Sequence, residues 1–260
     1  MPLASETESS PQAAATQAPT RVPDPEFPYE VEMTLMEHLE ELRRRLLASV
    51  IAVGLCIVAC FLGVNRLITF LEVPAQGVTF LQLAPGEYFF VSLKVAAYAG
   101  LLLATPFLLY QIVRFVLPGL SVKEIKLLGP VVLGSSLLFV AGLAFAYYLL
   151  LPAALSFFIH YGEGVVEQAW SIERYFEFVL LLLFSTGLAF QVPILQGLLG
   201  ALGLVTAEQM LKGWRYVVVA AVVAGAILTP STDPLTQSLL AGAITFLYLL
   251  GVLLVKLLGQ

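Results

Sequence analysis

The chain has 260 residues, of which 59% are hydrophobic and only 12% are charged, and its mean hydropathy is +0.92. About a quarter of the residues in soluble domains are charged, so this composition excludes an ordinary water-soluble fold. The formal net charge of −5 gives no indication of a nucleic-acid partner.

The first 32 residues are rich in Pro, Ala, Ser and Thr and contain no apolar run. Such a segment buries too little surface to offset the entropy lost on ordering. We therefore predict a disordered tail over residues 1–32 and one transmembrane domain over residues 33–260. A basic stretch leading directly into an apolar core is missing, which argues against a cleaved secretory signal.

Six membrane-spanning helices are predicted after this tail, because a helix needs about 20 mostly apolar residues to cross a bilayer. They cover residues 46–65, 93–113, 127–150, 175–203, 216–229 and 235–255. The fifth is short enough to be a re-entrant segment, but a turn at residues 229–234 joins it to the sixth, so we favour a short helical hairpin formed by these two. Pro106, Pro130 and Pro193 are predicted to kink their helices, since proline lacks the amide hydrogen.

The basic residues predict the orientation of the spans. Six crossings put both termini on one side of the membrane, and only Arg66, Lys94 and Arg174 then fall on the other side. The remaining 10 of the 13 Lys and Arg residues lie on the side of the termini. The positive-inside rule makes that side the cytoplasmic one or its equivalent.

No catalytic motif is present in the sequence. It has no nucleophile elbow, no H-E-x-x-H pair and no phosphate-binding loop, and its two histidines, His38 and His160, lie at the edges of spans. We therefore predict that the chain is not an enzyme and that it holds no cofactor and no metal. Gln191 is the deepest strongly polar side chain, and because an amide cannot titrate it argues against an ion-coupled transporter.

Acidic and basic residues crowd together just before the first span, in HLEELRRRL. In a helix Glu40 and Arg44 lie four residues apart, as do Glu41 and Arg45, and each such pair stabilises a helix by about 0.2–0.5 kcal/mol. The charge spacing alone has a simple structural interpretation, in which the arginines anchor the first span at the membrane interface and the glutamates offset their charge.

A second acidic residue at the same interface supports a different interpretation. Glu124 lies between Lys123 and Lys126, just ahead of the third span, at a depth similar to that of Glu41. Two carboxylates at one interface would suit a ligand with paired guanidinium groups, because arginine binds carboxylates with two parallel hydrogen bonds.

Several motifs, taken in order, resemble those of TatC, the receptor core of the twin-arginine protein translocase. They are HLEELRRRL, LEVPAQG, TPFLLYQIVRFVLPGL, SSLLFVAGLAFAYYLLLP, FSTGLAFQVPIL and ILTPSTDPLTQ, and they extend over about residues 34–255. No single motif is specific, whereas their order and spacing are. Many bacterial members carry glutamate where this chain has Gln191, and cyanobacterial and plastid members resemble it in carrying glutamine.

The resemblance implies a cup-like bundle that binds twin-arginine signal peptides and helps to export folded cargo proteins with the proton-motive force. It implies TatA-type and TatB-type single-span partners, self-association, and a plasma or thylakoid membrane. The positions that match the family's signal-peptide-binding residues are Glu41, Glu124, Arg43, Arg45 and Phe115. Gln191 would contact a partner helix, and Pro74 and Asp233 match positions in the outer loops, where Asp233 has turn formation before Pro234 as its alternative role.

Two other functions remain open on the sequence. One is a small-solute secondary transporter whose path is lined by Gln191 and the short fifth span. The other is a purely structural membrane scaffold. A receptor should lose affinity when lysine replaces arginine in the peptide, because lysine cannot form the two parallel hydrogen bonds, whereas a transporter should be indifferent.

Overall fold

The computed structural model describes residues 35–116, 128–161, 164, 169–228 and 234–257. Its helices are α1 (Leu35–Leu62), α2 (Val64–Glu72), α3 (Glu87–Val116), α4 (Leu128–Phe145), α5 (Leu151–Tyr161), α6 (Ile172–Ala189), α7 (Val192–Ala201), α8 (Ala207–Lys212), α9 (Trp214–Leu228) and α10 (Pro234–Leu257). A 3₁₀ turn follows α2 at Val73–Ala75, and a π-helical segment, Ala146–Leu150, joins α4 to α5. The strands are β1 (Thr79–Leu81) and β2 (Ala169–Ser171).

Five helical segments are long and apolar enough to cross a membrane, and α9 is a shorter apolar helix. This confirms the predicted all-α architecture of six spans with a short fifth one. The third span is α4 continued through the π segment into α5, and the fourth is α6 continued into α7. The first span begins earlier than the apolar run, because HLEELRRRL continues the helix of α1.

The three prolines that were predicted to kink their helices lie at different kinds of position. Pro106 lies inside α3, and Pro193 lies in the first turn of α7, directly after the break that separates it from α6. Pro130 lies near the described start of α4, and residue 126, whose carbonyl a helical amide at position 130 would bond, is outside the described residues, so a kink there stays a prediction. The irregularity in that span is the π segment, which ends two residues before Pro152.

α1 packs antiparallel on α3 and is the least covered of the spans. Gly100 of α3 allows the contact, because a Cβ atom there would lie 2.6 Å from the Cα of Ile57 on α1. The opposite face of α1 carries exposed leucine, valine and isoleucine side chains. An apolar face of this kind is the face that a membrane span presents to lipid.

One end of the bundle carries the two strands, and we call it the strand end. β1 and β2 pair in parallel, with Phe80 opposite Trp170. The buried carboxylate of Glu87, at the start of α3, accepts hydrogen bonds from the backbone of Leu83 (2.6 Å) and of Glu173 (3.3 Å). It also accepts from the Ser171 hydroxyl at 3.0 Å, so this one side chain ties the start of α3 to the start of α6.

α2 lies across the strand end and is held there by two tyrosines. The hydroxyl of Tyr175 donates to the carbonyl of Leu71 at 2.6 Å, and the hydroxyl of Tyr147 donates to the carbonyl of Phe70 at 2.7 Å. Phe70 and Tyr147 also stack, with ring centroids 4.5 Å apart. Both bonds go to carbonyls in the last turn of α2, and the Phe70 carbonyl also accepts from the backbone N–H of Val73.

The main core lies between α3, the π segment and α6. Its largest fully buried members include Phe176, Leu150, Leu182 and Val91. A smaller cluster joins α8 to α10 through Met210 and Val255. The described helices therefore bury their apolar side chains mainly where the spans cross, and leave their outer faces apolar.

Candidate functional site

The end of the bundle opposite the strands is formed by the start of α1 and the end of α3, and we call it the Glu41 end. His38 of α1 stacks on Phe115 of α3, with ring centroids 4.5 Å apart. This contact fixes the first turns of α1 against the last turn of α3. It also brings two stretches that are far apart in sequence, HLEELRRRL and QIVRF, onto one surface.

Arg45 connects the two helices at this end. Its Nε donates to Oε1 of Glu41 at 2.9 Å, and its Nη2 donates to the same oxygen. Its Nη1 donates to Oε1 of Gln111 on α3 at 3.1 Å. The side chains of Arg45 and Glu41 are only 13% and 14% exposed. A charge-assisted pair shielded from water in this way is held more tightly than a surface ion pair.

The second oxygen of the Glu41 carboxylate is not used. Oε2 is buried and has no hydrogen-bond partner among the residues that the structure describes. A buried acceptor without a donor costs on the order of 1–3 kcal/mol, and more when the group is charged. Oε2 is therefore a place where an incoming donor would be stabilising.

Two cavities flank the pair. A larger one, of about 460 Å³, is lined by Glu37, Glu40, Glu41, Arg43, Arg44 and Leu47. A smaller one, of about 230 Å³, is lined by Arg44, Arg45, Ala48, Tyr110, Gln111 and Arg114. Glu41 is among the residues that line the larger cavity, together with Glu37 and Glu40, and its Oε2 atom lies beneath the surface there.

The structure brings together three of the residues that the sequence singled out, Glu41, Arg45 and Phe115. Arg43 is exposed and lines the larger cavity. The Glu41–Arg45 pair forms as predicted, but no ion pair joins Glu40 and Arg44 in the described stretch 35–116, so that prediction was wrong. The two side chains face cavities instead, and the helix forms without their bond.

The other predicted residues lie elsewhere. Pro74 lies in the 3₁₀ turn at the strand end, away from Glu41. Glu124 and Asp233 lie outside the described residues, so their predicted roles stay predictions.

Gln191 lies in the break between α6 and α7 and bonds to α4. Its Oε1 accepts from the hydroxyl of Ser135, and its Nε2 donates to the Ser135 carbonyl at 3.2 Å. Both ends of the amide thus bind one residue of the same chain. Contact of Gln191 with a partner helix stays a prediction.

An apolar groove on the bundle is lined by residues of α1, α2, α3, α4 and α6. Its volume is about 550 Å³, and its lining includes Cys60, Phe70, Pro106, Val140 and Leu183. Pro106 faces this groove, in agreement with the predicted cup-like shape. The groove is open and almost without polar atoms, so it could hold only an apolar occupant.

Sequence reasoning missed Gln111, the residue that holds Arg45 from the other helix. A signal was present, because Gln111 is an amide in the last turns of an otherwise apolar span, one turn before Arg114. Its partner is 66 residues away, and nothing in the sequence indicates which face of α3 meets α1.

Comparisons with known proteins agree on one family. The family described as Sec-independent protein translocase protein (TatC) matches residues 37–242. The chain is 65% identical to a protein of that name from Synechocystis, over 90% of this chain and 92% of that protein. It is 61% identical to the chloroplastic protein of Arabidopsis thaliana, over 90% of this chain and 70% of that protein. A crystal structure of the twin-arginine translocase receptor TatC superposes with a TM-score of 0.76 at 35% identity, and covers 86% of this chain and 100% of that one.

Proposed function

The chain belongs to the TatC family of Sec-independent protein translocase proteins, and from this premise we propose that it is the signal-peptide receptor and assembly platform of a twin-arginine translocase. Its ligands would be signal peptides that carry two adjacent arginines and precede folded cargo proteins. Membership of a translocase family also agrees with the absence of catalytic motifs in the sequence.

The observation that carries this proposal is the unused oxygen of Glu41. Oε2 is a buried carboxylate oxygen of a residue that lines the larger cavity, and it has no donor in the described part of the chain, so a guanidinium that entered from this cavity would need only a small side-chain movement to reach it. A guanidinium group is the natural donor, because it is always charged and carries five N–H groups. A hydrogen bond between charged groups contributes about 1.5–3 kcal/mol.

The second arginine needs a second acid, and Glu124 is the residue we propose for it. The segment that carries Glu124 follows α3 directly in the sequence, and α3 ends beside Glu41. Glu124 therefore lies eight residues along the chain from the last residue of α3, Val116. Phe115 and the exposed Arg43 would border the bound peptide, and Phe115 already presents an aromatic ring there.

The apolar segment of the signal would lie along the bundle, and single-span partners of the TatA and TatB type would assemble around it. In this arrangement Gln191 would contact a partner helix. Pro74 and Asp233 would support the outer loops. We place the Glu41 end and both termini on the cytoplasmic or stromal side of a plasma or thylakoid membrane, because most of the basic residues lie on that side. Transport would be driven by the proton-motive force.

The alternative, a small-solute transporter with a path lined by Gln191, has less support. The amide of Gln191 is occupied at both ends by Ser135, so it offers no free pair of polar groups to a solute. The groove that is present is apolar, and a path for polar solutes would need polar lining.

Peptide binding to the purified full chain in nanodiscs tests the proposal. A synthetic signal peptide with two arginines should bind, and replacing both arginines with lysine should weaken binding. Glu41→Gln and Glu124→Ala should each weaken it about tenfold or more, from the size of a charge-assisted bond, and should abolish export of twin-arginine cargo without loss of membrane insertion. Glu208→Gln, an exposed acid at the start of α8, is the matched control. Undiminished export by Glu124→Ala would refute the proposal.

A further inference from the structure

The geometry around Arg45 departs from the usual pairing of arginine with a carboxylate. In that pairing two parallel N–H groups each meet one oxygen of the acid. Here both Nε and Nη2 of Arg45 donate to Oε1 of Glu41, and Oε2 receives nothing from the described residues. Arg45 could neutralise the whole carboxylate, yet it occupies only one side of it.

The bond to Gln111 accounts for this departure. Nη1 of Arg45 donates to the amide oxygen of Gln111 at 3.1 Å. Since the guanidinium is planar and rigid, a bond at one corner limits the direction in which the other N–H groups point. Gln111 sits on α3, whose position against α1 is fixed by close packing at Gly100 and by the stack of His38 on Phe115. It therefore holds Arg45 from a fixed support.

We propose that Gln111 is a positioning residue that holds Arg45 on one oxygen of Glu41 and so keeps the other oxygen open for a guanidinium of the signal peptide. This inference rests on the proposed function, and it adds a residue that acts on the ligand only through Arg45. It also means that Arg45 competes with the peptide's arginine for Glu41. Without its bond to Gln111, Arg45 would bond to both oxygens of Glu41.

The same geometry sets how the ligand's arginine can bind. With Oε1 already receiving two N–H groups, an incoming guanidinium meets Glu41 through Oε2 alone. Glu41 therefore supplies a negative charge and one acceptor atom. The preference for arginine over lysine at the peptide position that binds Glu41 is then smaller than two parallel hydrogen bonds would produce.

The test is a double-mutant cycle on binding of a fluorescent twin-arginine peptide to the full chain in nanodiscs. Gln111→Leu should weaken binding about threefold to tenfold, because Arg45 would then cover Oε2 and the peptide's guanidinium would lose its bond to the Glu41 carboxylate. Gln111→Glu should strengthen binding, because a carboxylate draws Arg45 further from Glu41. In the Arg45→Gln background, Gln111→Leu should have no further effect. Gln82→Leu, the same replacement at an exposed amide at the strand end, is the matched control and should change nothing.

Each outcome has a definite meaning. A Gln111→Leu effect that persists in the Arg45→Gln background would show direct contact with the peptide and would overturn the inference. Equal losses for Gln111→Leu and Gln111→Glu, with a lowered unfolding temperature for both, would show a packing role and would also overturn it. If Glu41→Gln binds the peptide as well as the unaltered chain, the proposed site itself fails. If Glu41→Gln loses binding and Gln111→Leu does not, only the inference fails.

Discussion

Gly100 of α3 lies so close to Ile57 of α1 that no side chain fits between them. An ideal Cβ at residue 100 would stand 2.6 Å from both the Cα and the backbone nitrogen of Ile57. Backbone atoms cannot rotate away as a flexible side chain can, so α1 itself would have to move. The same packing of α1 on α3 brings Arg45 within reach of Gln111.

Replacing this glycine tests that packing. Gly100→Ala should lower the free energy of unfolding by about 1–3 kcal/mol, the usual cost of overpacking a close contact. It should also weaken peptide binding at Glu41. Gly54→Ala on α1 is the control, since its Cβ would meet nothing within 4 Å and alanine is the better helix former. Chemical denaturation in detergent measures both variants. Equal stability of Gly100→Ala and the unaltered chain would contradict the close contact.

Gln191→Glu should destabilise the fourth span. The amide donates from Nε2 to the Ser135 carbonyl at 3.2 Å, and a carboxylate has no hydrogen there to donate. Two oxygen atoms would then face each other in a partly buried place, at a cost on the order of 1–3 kcal/mol. The unfolding temperature measures the effect, with Gln82→Glu at an exposed amide as the comparison. An unchanged temperature for Gln191→Glu would show that the bond to α4 contributes nothing.

Tyr175→Phe should loosen α2 from the bundle. The Tyr175 hydroxyl is buried and donates to the Leu71 carbonyl at 2.6 Å, so its removal leaves that carbonyl unpaired. We expect a loss of about 1–3 kcal/mol in the free energy of unfolding. Tyr216→Phe removes a hydroxyl from a side chain that is 82% exposed and should be neutral. Similar stabilities for the two variants would mean that water replaces the lost bond.

Glu72, the last residue of α2, should make stability depend on pH. Burial raises the pKa of its carboxyl above the ordinary value for glutamate. A raised folded-state pKa means that the contribution to stability is complete below the unfolded pKa, about 4.3. It is lost as the pH rises through the folded-state value. Glu72→Gln should therefore be more stable than the unaltered chain at pH 7, and the difference should close as the pH falls toward 4. Thermal unfolding at several pH values measures this, and a difference independent of pH would contradict it.

The spans show how far the sequence alone reaches. Long apolar runs predict helices correctly because every backbone polar group in a membrane must be satisfied within the helix, and that requirement is local. The short fifth helix followed from its length, and the Glu41–Arg45 pair followed from a spacing of four residues.

Contacts between spans were beyond the sequence. The bond from Gln191 to Ser135 joins residues 56 apart, and the bond from Arg45 to Gln111 joins residues 66 apart. Each depends on the rotation of two helices about their own axes. In an apolar span most faces of the helix are equally hydrophobic. Hydrophobic periodicity therefore does not indicate which face packs against a neighbouring helix.

By itself the amino-acid sequence determined that this is a membrane protein of six helices with acids and bases crowded before the first span, because length, apolarity and charge spacing act within one helix. Only the tertiary structure decided that Arg45 is shared between Glu41 and Gln111 and that one buried oxygen of Glu41 has no hydrogen-bond partner among the described residues. That outcome depends on how closely α1 can approach α3, which is set by atoms from two distant stretches of chain meeting at Gly100.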